Sequence, residues 1–232
     1  MIEGIDVKIK EIKDLISQIQ DSSLRKKTDD LIVTVLFDSN RLNSPAAKKA
    51  HHAYPGGLID HTISTTRIGL VIAQQLELIY SYKVETDTII SSCLLHDIFK
   101  PFTYQSPDYL SNSALGQYID HLILIVIKLT QNDFPFNVVH AVAAHHGDSG
   151  PVRPKTIEAM IVHLADYVDS QLNGEIFRKA RMIYQDDINE GQEPKDILSA
   201  LGVFIKMKDK SDEAEKEFNY LFSSGRQENL NL

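Results

Sequence analysis

The chain has 232 residues, 43% of them apolar and 24% charged, with a formal net charge of −8. That is long and apolar enough for one domain with a sizeable core, and the negative balance argues against a basic nucleic-acid-binding face. A lone cysteine, Cys93, excludes an internal disulfide, fits a reducing compartment and reads as a small buried apolar residue.

Residues 1–13 alternate charge with Ile and Val and lack the apolar centre of a signal peptide. The longest apolar run, residues 122–127, falls far short of the roughly 20 residues that a membrane span needs. A soluble, cytoplasmic protein with no membrane partner is expected.

Ile5, Ile9, Ile12, Leu15, Ile16 and Ile19 recur at steps of three and four, the signature of one helix face. Asp21-Ser22-Ser23 offers a cap for a second helix over 24–37, and a loop follows at 38–45. Tyr54-Pro55-Gly56-Gly57 breaks the chain before one long helix over 58–81. Thr86-Asp87 can cap a helix ending near His96-Asp97, because Pro101 disfavours helix at the residue before it. Residues 102–112 read as a loop and 114–130 as a strongly apolar helix. Pro135 opens a helix reaching Ala144, which Gly147 helps to end, and 148–154 is a Gly/Pro turn region. A helix over 156–172 is punctuated by Gly174; two or three charged helices follow and end in a polar tail at 223–232. With no repeat and no strand pattern, the fold class is all-α. The expected organisation is a single domain over 1–232, with its core at about 48–172, N-terminal helices at 5–37 and C-terminal helices at 175–222.

The pair His96-Asp97 closes an apolar run. A histidine offers one lone pair to one cation, whereas a carboxylate has two oxygens and can bridge two. His61 falls in the first turn of the long helix, His121 inside an apolar helix, His145-His146 at a helix end, and Asp166 within the apolar stretch 161–166. A polar ring or carboxylate in such surroundings must find a partner. If these points converge, His61, His96 and Asp166 hold one cation, His121, His145 and His146 hold a second, and Asp97 bridges them, as in a two-metal hydrolase.

The order His…His-Asp…His…His-His…Asp resembles the HD-domain superfamily of metal-dependent phosphohydrolases. The blocks 51–62, 94–100, 145–147, 151–156 and 165–166 look like the HD portion of the YhaM-type 3′-to-5′ exoribonucleases, over roughly residues 48–172. The resemblance implies an HD-type helical bundle with extra terminal helices and a phosphate ester cleaved by a metal-activated water. The ester is that of a nucleotide or oligonucleotide. It also implies two divalent ions, Mn or Fe foremost, with Mg, Co, Ni or Zn compatible. Asp97 and Lys100 carry the catalysis in this reading, with Lys100 on the substrate phosphate. Arg153, Lys155 and His52 are further candidates for substrate contact. His163, one turn before Asp166, is either core packing or a support for the ligands, and His140 takes no role. The chain departs from those exoribonucleases in lacking strands for their nucleic-acid-binding module. Gly57 also stands where three-metal relatives carry a glutamate, which favours two metals. Two other readings stay open: a di-iron oxygenase on the same fold, and a nucleotide- or metal-binding module without turnover. The partner is a small phosphorylated substrate or a short nucleic acid. The acidic C-terminal helices pack on the core or on another subunit, so a homo-oligomer stays open.

Overall fold

A computed structural model describes residues 4–37, 41–105, 111–188 and 193–223. Part of the loop expected at 38–45, part of that at 102–112 and all but the first residue of the polar tail lie outside these. The described residues are helical with no strand; Tyr104 and Asn112 form an isolated antiparallel bridge. No helix among them is long and apolar enough to cross a membrane. The chain divides into two compact units, Met1–Gly174 and Glu175–Leu232.

In the first unit, α1 (Ile5–Ser17) and α2 (Ser22–Ile32) follow the isoleucine and leucine periodicity. Asp21 caps α2, its carboxylate accepting from Leu24 N. Residues Val33–Phe37 continue in a wider π-helical turn. Next come α3 (Gly57–Tyr80), α4 (Thr86–Leu95), the short α5 (Lys100–Thr103), α6 (His121–Gln131), α7 (Phe136–Ala143) and the start of α8 (Ile157–Ile183). Helix α4 is the hub, packed against α1, α2, α3 and α7. All ten of its residues except Thr86 and Asp87 are buried, so it is enclosed on every side rather than along one stripe. Its core neighbours include Ile12, Ile32, Leu58, Ile59, Ile125 and Val142, each fully enclosed. Asp87 does not cap α4; its carboxylate accepts from Gln20 N and Asp21 N, tying the α1–α2 turn to the hub.

Two elements differ from the sequence reading. The helix expected over 114–130 begins only at His121; before it lie a single 3₁₀ turn (Leu115–Gln117) and an extended Asp120. The Asp120 side chain accepts from Leu122 N, which starts the helix there. Gly116 also lies against the Thr103 carbonyl, where a Cβ would come within 2.1 Å of the oxygen. The helix expected to stop at Gly174 continues to Ile183. A single glycine costs a helix only about 1 kcal/mol, and at Gly174 a Cβ would sit 3.2 Å from the Ala50 carbonyl oxygen.

In the second unit, α9 (Ile197–Ser223) follows a π-helical turn at Tyr184–Ile188. Ala180, Ala200 and Val203 form its small buried cluster.

Candidate metal centre

Five helix ends or faces deliver the seven expected side chains to one buried place. His61 lies in the first turn of α3, behind the Gly56-Gly57 break. Gly56 has φ +80°, and a Cβ on Gly57 would come within 2.0 Å of the His52 carbonyl oxygen, so the turn needs both glycines. His96 and Asp97 follow α4 directly; His96 is fully enclosed and Asp97 is 1% exposed. His121 opens α6, His145 and His146 follow α7, and Asp166 lies on α8.

Around Asp97 the two carboxylate oxygens face different groups. Oδ2 lies 3.2 Å from His61 Nε2 and 3.3 Å from His96 Nε2, and Asp166 Oδ1 lies 3.3 Å from His61 Nε2. Oδ1 lies 3.2 Å from His121 Nε2 and 3.7 Å from His145 Nε2. His61, His96 and Asp166 form one set with ligand atoms all within 4.8 Å, and His121, His145 and His146 form another.

The tautomers follow from the acceptors. His96 Nδ1–H donates to Cys93 O at 2.8 Å, and His145 Nδ1–H donates to Val142 O at 2.7 Å. His61 Nδ1–H donates to Asp169 Oδ2 at 2.6 Å. Each Nε2 is thereby left to face the centre, which is how imidazole ligands are oriented. The Nε2 atoms of His61 and His96 are 3.1 Å apart. Two lone pairs at that distance repel, so a proton or a cation belongs between them. Both oxygens of Asp97 and the Nε2 atoms of His121 and His145 are buried without a well-formed hydrogen bond. Lys100 Nζ does approach Asp97 Oδ2 at 2.5 Å, a charge contact that leaves Oδ1 unanswered. Orphaned buried acceptors of this kind are rare in folded proteins, and a divalent ion satisfies them.

The electrostatics agree. Burial alone would raise the Asp97 and Asp166 carboxyls. For Asp97, the Lys100 and His96 charges win; for Asp166, the hydrogen bond from His61 wins. Both are held well below the usual carboxylate range. Burial would lower His61, but hydrogen bonds to Asp166, Asp169 and Asp97 hold it well above the usual histidine range. A proton there stands where a cation fits. Burial, with His96 adding to it, holds His145 well below that range, ready with a bare nitrogen.

Lys100 is 9% exposed. Burial would lower its pKa, and Asp97 more than offsets this, so the ammonium stays charged inside the site. Arg153 is exposed and pairs with Asp148 at 3.0 Å, while Lys155 is exposed and its backbone N–H donates to His140 Nε2. His52 is 4% exposed, with Nε2 2.8 Å from Asp169 Oδ2 and Nδ1 3.0 Å from the Tyr54 hydroxyl. His163 donates from Nδ1 to His145 O at 2.7 Å, and its ring abuts Gly147, whose φ is +58°.

Asp169 is absent from the sequence reading. It lies one helical turn after Asp166 and takes both His61 and His52 on a single oxygen. Tyr54 donates to Asp60 Oδ2 at 3.0 Å, and Lys8 reaches Asp60 Oδ1 at 2.6 Å. The i, i+3 spacing of the two aspartates was the available signal.

The HD domain family profile matches residues 58–171, a span that takes in all seven side chains. The chain is 42% identical over 168 residues to a dihydroneopterin 2′,3′-cyclic phosphate phosphodiesterase of Methanocaldococcus jannaschii, covering 68% of each chain. It is 28% identical over 148 residues to the 3′-5′ exoribonuclease YhaM of Oceanobacillus iheyensis, covering 59% of this chain and 45% of that one. For the Bacillus subtilis YhaM the figures are 26% over 143 residues, 57% and 44%. The chain thus spans about half the length of these exoribonucleases. No solved structure matches it. Profile, relatives and buried histidine–aspartate centre agree, and the chain belongs to the HD-domain family of metal-dependent phosphohydrolases, enzymes that cleave phosphate esters.

Proposed function

We propose that the protein is a phosphodiesterase for small nucleotide-like esters, working with two divalent ions, Mn or Fe foremost. The observation that carries this is the division of Asp97 between two sets of imidazoles, Oδ2 toward His61 and His96 and Oδ1 toward His121 and His145. In this reading His61, His96 and Asp166 hold one ion, His121, His145 and His146 hold the other, and Asp97 bridges. Ions so held supply Lewis-acid activation of a water and charge neutralisation on phosphate oxygens.

The chain's own groups do the rest. Backbone carbonyls and Asp169 lock three imidazoles with their lone pairs inward. Lys100 keeps a fixed positive charge beside Asp97, where a phosphate oxygen would gain from it. His52, enclosed between Asp169 and Tyr54, acts as a support rather than as a substrate contact. Arg153, paired with Asp148, and Lys155 remain secondary candidates for phosphate contact. The diester preference is supported by the relatives: a cyclic phosphate phosphodiesterase and an exoribonuclease both break phosphodiester bonds. A cytoplasmic location and self-association belong to the same proposal.

The test is turnover of bis-p-nitrophenyl phosphate with Mn²⁺. Activity that disappears in His96→Ala and Asp97→Ala is expected. A full-length protein that hydrolyses no mono- or diester with any divalent ion would overturn the reading.

A further inference from the structure

We propose that the cavity beside His121 receives the organic half of the ester and selects a 2-amino-4-oxo-pyrimidine ring, the edge that guanine and pterins share. The proposal rests on the phosphodiesterase reading above. The cavity measures about 500 Å³, enough for a nucleoside-sized group. His121 forms part of its wall, so a substituent on a phosphate at Asp97 enters it directly. The opposite wall, from Ala47 to Ala50, runs on to His51, whose ring is 5.1 Å from that of His61. Both walls therefore end at the metal centre.

The lining combines apolar residues with polar ones. Ala50 and Ile119 are apolar members of that lining. Tyr104 and Asn112 are held side by side by their backbone bridge. Asn112 Oδ1 takes the Lys48 ammonium, so the amide's NH₂ is left as a donor. Lys49, exposed at the rim, has no acidic partner among the described residues. Asp120 uses Oδ1 to cap α6 and to meet His121 Nδ1, and its other oxygen takes no hydrogen bond among the described residues.

That second oxygen belongs to a side chain that is 60% exposed, so a ligand with adjacent donors can replace water there. The ring N–H and the adjacent amino group of a 2-amino-4-oxo-pyrimidine are two such donors. Its carbonyl oxygen, on the far side of the N–H, suits the Asn112 NH₂ and the Lys49 ammonium. Adenine places a ring acceptor beside its amino group, and uracil carries no amino group. Hypoxanthine differs from guanine only by the missing amino group.

Because Asp120 also holds His121, changing the ligand is a cleaner test than changing the aspartate. With the full-length protein and Mn²⁺, guanosine 2′,3′-cyclic phosphate should be hydrolysed with kcat/KM at least about tenfold above inosine 2′,3′-cyclic phosphate, the factor expected from one charge-assisted hydrogen bond. Calorimetric binding of guanosine 3′-phosphate and inosine 3′-phosphate should show the same ratio without turnover. Ala50→Trp, at an exposed position, should fill the cavity and lower kcat/KM for the guanosine ester about tenfold relative to bis-p-nitrophenyl phosphate, with an unchanged melting temperature. Equal binding of the two nucleotides overturns the ring assignment. An unchanged ratio in Ala50→Trp overturns the cavity as the subsite. A protein that hydrolyses nothing yet binds guanosine 3′-phosphate tenfold better would refute the phosphodiesterase reading and leave the pocket standing.

Discussion

Replacing Asp169 separates a support for the metal centre from ordinary core packing. Its side chain is 6% exposed, and one oxygen accepts the N–H groups of both His61 and His52, at 2.6 and 2.8 Å. In Asp169→Ala both buried donors lose their acceptor. At about 1–3 kcal/mol each, the folded state loses roughly 2–6 kcal/mol. For a unit of this size that is a fall in Tm of order 10 °C. His61 also loses the carboxylate that keeps its proton on Nδ1 and its Nε2 turned inward, so affinity for the ion there should drop about 10–100-fold. Asp169→Asn keeps an oxygen in place but removes the charge, and should recover most of the Tm while leaving metal affinity about tenfold weaker. Calorimetric titration of the chelator-treated protein with Mn²⁺, beside thermal melts, reads both quantities. A purely structural Asp169 would lower Tm in the alanine variant and leave the Mn²⁺ affinity of both variants within twofold of the parent; that result refutes the reasoning.

Other outcomes follow from the same geometry. Chelation should lower Tm, because the orphaned atoms of Asp97, His121 and His145 lose their partner, and Mn²⁺ at a hundred times its Kd should restore about 2.7 kcal/mol; a melt indifferent to chelator counts against a metal at these atoms. Asp97→Asn should cut turnover at least about a thousandfold and reduce bound metal from two ions to one or none, read by elemental analysis. Lys100→Met removes the cation that competes at Asp97 Oδ2, so metal should bind more tightly while kcat falls roughly tenfold; weaker metal binding would contradict the charge argument. Gly57→Ala drives a Cβ to 2.0 Å from the His52 carbonyl oxygen, a backbone clash costing about 1–3 kcal/mol, visible as a lowered Tm; an unchanged melt would mean that the turn yields freely.

The helical class, the α1–α2 pair and the start of α7 were legible because periodicity and caps are local. Ile5 to Ile19 repeat at helical spacing, Asp21 accepts from Leu24 N, and Pro135 stands just before α7. The residues that converge here could be singled out too, because a histidine or carboxylate in an apolar run announces that it needs a partner. The start of α6 was missed because apolar content alone does not distinguish a helix from buried irregular chain. The Thr103 carbonyl against Gly116 and the cap at Asp120 decided it. Gly174 misled for the opposite reason, since one glycine is a weak breaker in a 27-residue helix.

Residue types and their order along the chain determined the all-helical class and which buried side chains need a polar or charged partner. Both depend on interactions within a few residues, or on the cost of burying a polar group anywhere. The convergence depended on packing. Asp97 facing two imidazole sets, Asp169 behind His61, and the Tyr104–Asn112 wall beside His121 bring together groups from 8 to 108 residues apart. No local rule sets the distance between such groups; the packing of the helices about α4 and α7 does.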